Sequence, residues 1–140
     1  ILCMENEFSM FITAFCGILD VGTGEVAYSN GGHKLPFLLR AGLEVEPLPA
    51  TDGIALGVLE GDSLYNVGTM KFDFGDTIFL YSDGVTESEL YTDKRLEKVL
   101  SEVGAGLPKD AVEAVLGDVE AFSEGAPQAD DMALLAIRYN

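Results

Sequence analysis

The sequence predicts an α+β domain in which several antiparallel strands precede two amphipathic helices and a closing strand. Three observations carry that expectation. Apolar runs rich in β-branched and aromatic residues, cut by Gly-, Asp- and Pro-containing turns, fill the first part of the chain. Apolar residues return at 3.6-residue spacing only late, at Leu96, Val99, Leu100 and Val103 and again at Val112, Val115, Leu116, Val119 and Phe122. The whole is 140 residues with 48% hydrophobic content and mean hydropathy +0.22, with no internal repeat, low-complexity tract or linker. One domain of that size buries a core without disulfides or metal staples.

Taken in order, residues 1–7 carry helix-compatible side chains without an N-cap, as the end of a helix already under way would. On that basis residues 1–140 are expected to be one partial domain, incomplete at the N-terminus. Phe8 to Asp20 holds an almost uniformly apolar stretch, Met10 to Leu19, which reads as a strand buried on both faces. The turn Asp20-Val21-Gly22-Thr23-Gly24 leads into a second strand, Glu25 to Ser29, making a hairpin. Asn30-Gly31-Gly32-His33 breaks the chain before a short strand at Leu35–Arg40. Ala41-Gly42 then turns into the alternating Glu44–Leu48. Residues 49–62 read as a loop crossing between strands. Tyr65 to Phe74 alternates as a further strand, and Gly75-Asp76 turns into Thr77–Tyr81, five residues suited to a strand covered on both faces. Thr92 or Asp93 caps the first helix and Gly104 ends it; Pro108 opens the second, with Gly125 beyond it. Met132 to Tyr139 closes the chain as a buried strand.

Charge narrows the function. Twenty-four acidic residues stand against eight basic ones, a net charge of −16. A surface that tracks nucleic acid needs basic stripes, so DNA and RNA are excluded as partners. Cys3 and Cys16 lack metal or redox spacing and read as free thiols of a reducing compartment, with Cys16 in the core. No apolar run is long enough to span a membrane and no signal-peptide pattern opens the chain, so the expected location is cytoplasmic.

Two acidic clusters sit at strand ends: Asp83, followed by Gly84, after Thr77–Tyr81, and Asp130-Asp131 before the closing strand. If those strands are antiparallel neighbours, the end of one lies beside the start of the other. Their carboxylates would then converge, and oxygen-only ligands favour hard ions such as Mg²⁺ or Mn²⁺. The plainer alternative is that Asp-Gly is a turn dipeptide and Asp-Asp a capping pair. The single histidine, His33, lies in a Gly-rich turn with no nucleophile elbow nearby, which speaks against a Ser-His-Asp hydrolase. No glycine-rich loop joins a strand to a helix, so dinucleotide and P-loop binding are unsupported.

Five blocks in order carry a resemblance: Phe11-x-Thr13-x-x-x-Gly17-x-Leu19-Asp20; Tyr28-x-Asn30-x-Gly32-His33; Gly53-x-x-Leu56-Gly57; Gly75-Asp76-x-x-x-x-Tyr81-Ser82-Asp83-Gly84-Val85-Thr86-Glu87; and Asp130-Asp131-Met132-x-Leu134-Leu135. Across nearly the whole chain they resemble the SpoIIE/RsbU branch of the PPM metal-dependent protein serine/threonine phosphatases. The resemblance implies an antiparallel β-sandwich flanked by helices in αββα layers, with two Mn²⁺ or Mg²⁺ ions in a cleft at one end. A metal-bridging water there attacks the phosphorus of a phosphoserine or phosphothreonine. Asp83 and Asp130 match metal ligands, Gly84 and Asp131 stand beside them, and Asn30 and His33 match a loop motif with a structural role. Members of the branch act on phosphorylated anti-anti-sigma (STAS-type) proteins in bacterial partner switching, often driven by an attached sensor domain.

One departure qualifies the match. The family's Asp-x-x-Gly-(His/Lys)-Gly block, with its bridging aspartate, has no counterpart in residues 1–10, where Glu5 and Glu7 are the acids. Two carboxylates hold a divalent ion weakly. Residues 1–140 alone are therefore expected to bind metal weakly or not at all, to be inactive or nearly so, and to self-associate through an uncovered sheet edge. The alternatives are a catalytically degenerate module that binds a partner protein and a domain acting on a small phosphoester.

Overall fold

The computed structural model describes residues 10–42, 44–59, 65–86, 91–104, 106–123 and 131–140. They form seven strands and two α-helices: β1 Ala14–Leu19, β2 Glu25–Gly31, β3 Phe37–Leu39, β4 Val45–Pro47, β5 Gly68–Lys71, β6 Thr77–Tyr81, α1 Asp93–Val103, α2 Pro108–Ser123 and β7 Leu134–Arg138. The expected α+β class, with antiparallel sheets and two late helices, is what the chain adopts. It falls into two compact units, residues 1–35 with 49–72, and residues 36–48 with 73–140.

The first unit holds a three-stranded antiparallel sheet in the order β1-β2-β5. The β1–β2 hairpin turns on Asp20, whose Oδ1 accepts the N–H groups of Gly22 at 2.8 Å and Thr23 at 3.1 Å. That is the local bond that makes Asp a turn residue. Register runs from Ala14 opposite Gly31 to Leu19 opposite Val26, so β2 continues through Asn30 and Gly31, beyond the expected end at Ser29. Val26, Tyr28 and Asn30 form the buried face of β2.

The apolar run before Asp20 is not buried on both faces as its composition suggested. Met10 is 71%, Phe11 63% and Ile18 73% exposed, and Cys16 is exposed rather than in the core. The reason is position. Among the described residues β1 pairs with β2 alone, and its outer face meets only small partners, Cys16 opposite Ser29 and Ile18 opposite Ala27. Upstream of β1, Ile12 makes a single bridge, exchanging both backbone hydrogen bonds with Leu56.

The second unit holds a four-stranded antiparallel sheet, β4-β3-β6-β7. One face lines up Phe37, Phe79 and Ala136 across three strands, with Leu39, Tyr81 and Leu134 beside them. On that face pack Leu96 and Leu100 of α1 and Ala111, Val115 and Val119 of α2, at the 3.6-residue spacing visible in the sequence. Helix α1 starts after Thr92, whose backbone is extended but whose side chain makes no capping bond, and stops at Gly104 with φ +65°. The central strand β6 matches its expected bounds and is buried along its length except for the half-buried Leu80. The closing strand differs from expectation: β7 alternates between half-buried and exposed residues, with Leu135 53% exposed. It too has a described strand neighbour on one side only.

A buried carboxylate fastens this sheet to its turns. Asp76 is 1% exposed and accepts hydrogen bonds from Arg40 Nη1 at 2.8 Å, Asp73 N at 2.9 Å and Ala41 N at 3.0 Å. A buried charge is tolerable only when paired and hydrogen-bonded in this way. Farther along, Arg95 of α1 forms a two-pronged bond to Asp118 of α2, both contacts at 2.8 Å, and its guanidinium lies 4.1 Å from the centre of the Phe122 ring.

Candidate metal centre

The site is built outward from β6. Tyr81, its last residue, is buried against Phe37, and its phenol donates to Asp93 Oδ1 at 3.1 Å, tying the end of the strand to the start of α1. Burial, and then the Asp93 carboxylate, push that phenol above the ordinary tyrosine range, so it remains a proton donor. Ser82 stays extended, with φ −82° and ψ 162°, and the chain then tightens into a single 3₁₀ turn at Asp83–Val85. Val85 is buried in the core and holds the turn down. Thr86 N–H closes it on Asp83 O at 2.8 Å. Asp83 is left exposed at the rim, its Oδ1 accepting the N–H of Gly84 at 3.1 Å.

The other acidic segment arrives beside it. Strands β6 and β7 are antiparallel neighbours with Tyr81 opposite Leu134, so the segment before β7 runs past Ser82. Ser82 N–H donates to Ala133 O at 3.0 Å, its Oγ accepts Ala133 N–H at 2.9 Å and donates to Asp131 O at 3.3 Å. Asp131 is exposed at the same rim. Asp130 lies outside the described residues.

Asn30 and His33 belong to the other unit. The Asn30 side chain grips the backbone of His33 twice, Nδ2 donating to its carbonyl and Oδ1 accepting its N–H, both at 2.8 Å. The imidazole Nδ1 lies 3.0 Å from Thr13 Oγ1. Thr51 Oγ1 accepts Asn30 N–H at 3.0 Å, and the neighbouring Gly53 packs so closely that a Cβ there would collide with the Asn30 carbonyl. Only glycine fits that approach.

Among the described residues no group of three or more His, Cys, Asp or Glu side chains could hold a metal ion alone. The donors present nevertheless fit a hard divalent cation as part of a larger set. They are carboxylates, exposed, on two segments tied together at one rim. Two residues have jobs that the sequence does not assign them: Ser82, which bridges the acidic segments, and Asp76, whose carboxylate anchors the turn feeding β6. A polar residue between an apolar strand and its terminal acid is the available signal for Ser82; for Asp76 the signal is its place in the Gly75-Asp76 turn.

Comparison with known proteins agrees with this fold. The profile of the family described as Stage II sporulation protein E (SpoIIE) matches residues 1–140. Protein IcfG of Synechocystis sp. (strain ATCC 27184 / PCC 6803 / Kazusa) is 27% identical over 97% of this chain, which spans 22% of that protein. The SiaA-PP2C domain of Pseudomonas aeruginosa superposes with a TM-score of 0.82 at 19% identity, over 98% of this chain and 55% of that one. The phosphatase domain of SpoIIE from Bacillus subtilis, from a Mn-presoaked crystal, gives 0.73 at 18% identity, over 91% of this chain and 56% of that one. The chain thus spans about a fifth of its curated relative and just over half of these two solved structures.

Proposed function

The chain belongs to the Stage II sporulation protein E (SpoIIE) family, and we propose on that footing that it is the C-terminal part of a metal-dependent phosphatase domain that removes phosphate from phosphoserine or phosphothreonine. Its substrate in this reading is a regulatory phosphoprotein of the anti-anti-sigma (STAS) type. The observation that carries the reading is the meeting of the Asp83 turn and the Asp131 segment at one end of the β6–β7 pair. Asp83 and Asp130 would hold Mn²⁺ or Mg²⁺, which when bound supplies an acidified water and positive charge for the phosphoryl oxygens.

This chain's own residues set the stage for that chemistry. The β6 backbone and the Val85 anchor fix where the Asp83 carboxylate stands. Gly84 offers its N–H to Asp83 Oδ1 and holds the carboxylate's orientation. Ser82 keeps the partner acidic segment alongside. A rim of carboxylates repels a phosphate dianion by Coulomb's law unless cations intervene, which ties substrate binding to metal binding. Among the described residues no group of three or more such ligands stands together, and residues 1–140 by themselves are proposed to be inactive or nearly so. The same surface fits no nucleic-acid partner, given the net charge of −16.

The test is Mn²⁺-dependent dephosphorylation of a phosphoserine STAS-type protein by the full-length protein and its Asp130→Ala variant. Hydrolysis by the first and loss of at least about 100-fold in the second is the expected result, since even residues that merely support a ligand cost 10–100-fold. Binding of the protein without hydrolysis would favour a degenerate partner-binding module. Turnover confined to small phosphoesters would replace the protein substrate with a metabolite.

A further inference from the structure

We propose that Ser82 is a positioning residue whose hydroxyl sets the separation between the Asp83 turn and the Asp131 segment; this rests on the metal-site reading above. The β6–β7 register ends at Tyr81 opposite Leu134, and one residue later the chain bends away into the Asp83–Val85 turn. At that bend one backbone bond still continues the ladder, Ser82 N–H to Ala133 O at 3.0 Å. The Ser82 hydroxyl adds two bonds to the same segment: Ala133 N–H to Oγ at 2.9 Å and Oγ–H to Asp131 O at 3.3 Å. A hydroxyl has one proton and accepts through its lone pairs, so one oxygen serves both a donor and an acceptor of the facing segment.

The position separates a folding role from a positioning role. Both hydroxyl bonds lie at the exposed rim, so water can replace them when the hydroxyl is removed. Ser82→Ala should therefore alter global stability little. What water cannot restore is the fixed spacing of the acidic segments, and a site of few ligands depends on it. The extended backbone of Ser82 also accepts a β-branched side chain, so Ser82→Thr can keep the hydroxyl in place.

The experiment measures Mn²⁺ affinity of the full-length protein by calorimetry or electron paramagnetic resonance, with melting of each metal-free variant as the control. Ser82→Ala should weaken Mn²⁺ binding about tenfold, the usual scale for a group supporting a metal ligand, with a wild-type melting profile. Ser82→Thr should bind within about twofold of wild type, and Asp83→Ala should lose binding altogether. Wild-type affinity in Ser82→Ala beside loss in Asp83→Ala would overturn the role of Ser82 and leave the metal site standing. Wild-type affinity in Asp83→Ala would overturn the metal site itself. Should Ser82→Ala fail to fold, Ser82→Cys, with its weaker donor and acceptor, carries the same test, and wild-type affinity there again overturns the proposal.

Discussion

Strands β1 and β6 are alike in composition and opposite in circumstance. Ala14–Leu19 and Thr77–Tyr81 are both short, apolar and bounded by turns, yet Ile18 is 73% exposed while Phe79 is fully buried. The difference lies in their neighbours. β6 has β3 on one side and β7 on the other and two helices against one face, whereas β1 pairs with β2 alone among the described residues. A strand fixed from several directions can deliver a carboxylate to a set place; one fixed from a single side cannot. The candidate site sits at the end of the first kind.

The comparison can be broken most directly in the core. Phe79→Ala should cost about 3–5 kcal/mol, because a large buried side chain leaves both lost contacts and a cavity. Against a typical domain stability of roughly 5–15 kcal/mol that is close to unfolding. Denaturant titration reads it, and a cost below about 1 kcal/mol would deny β6 its central place. Asp76→Ala comes next, at about 3 kcal/mol, because it leaves Arg40 without its buried partner and two backbone N–H groups unmet.

A smaller effect follows from pH. The Arg95 hydrogen bonds lower the Asp118 pKa below its ordinary 3.8, outweighing partial burial. A depressed folded-state pKa gives stability that is present above the unfolded value and is lost as pH falls through the folded one. Asp118→Asn should accordingly be less stable than wild type at neutral pH and should close that gap below about pH 4. A constant gap across the acid range would show that the pair contributes no charge effect. On β1 the expected change is smallest: Ile18→Ser should shift stability by no more than about 0.5 kcal/mol. The same variant should reduce self-association of residues 1–140, since the exposed face of β1, and its edge that pairs with no strand among the described residues, offer pairing surface. Light scattering that finds wild type already monomeric at high concentration would contradict this.

Local chemistry was legible in the sequence; cover was not. The bounds of β6, the Pro108 start of α2, the Gly104 stop and the Asp20 turn all follow from residues within a few positions of each other, and the structure has them. Whether an apolar run is covered depends on partners far along the chain, which is why β1 and β7 read as buried and are partly bare. The candidate site divides in the same way. The neighbouring placement of the Asp83 turn and the Asp131 segment followed from strand order, which antiparallel β6 and β7 satisfy. The Ser82 bridge was not legible, because nothing in a Ser-Asp-Gly run says which distant segment the hydroxyl will meet.

The most direct measurement of the central claim sets the two strands side by side in one assay. Mn²⁺-dependent dephosphorylation of a phosphoserine protein by the full-length protein is measured for Asp83→Ala, at the end of β6, and for Ile18→Ser, on β1. The first should lose at least about 100-fold and the second should turn over as wild type. Unchanged turnover in Asp83→Ala would contradict the claim.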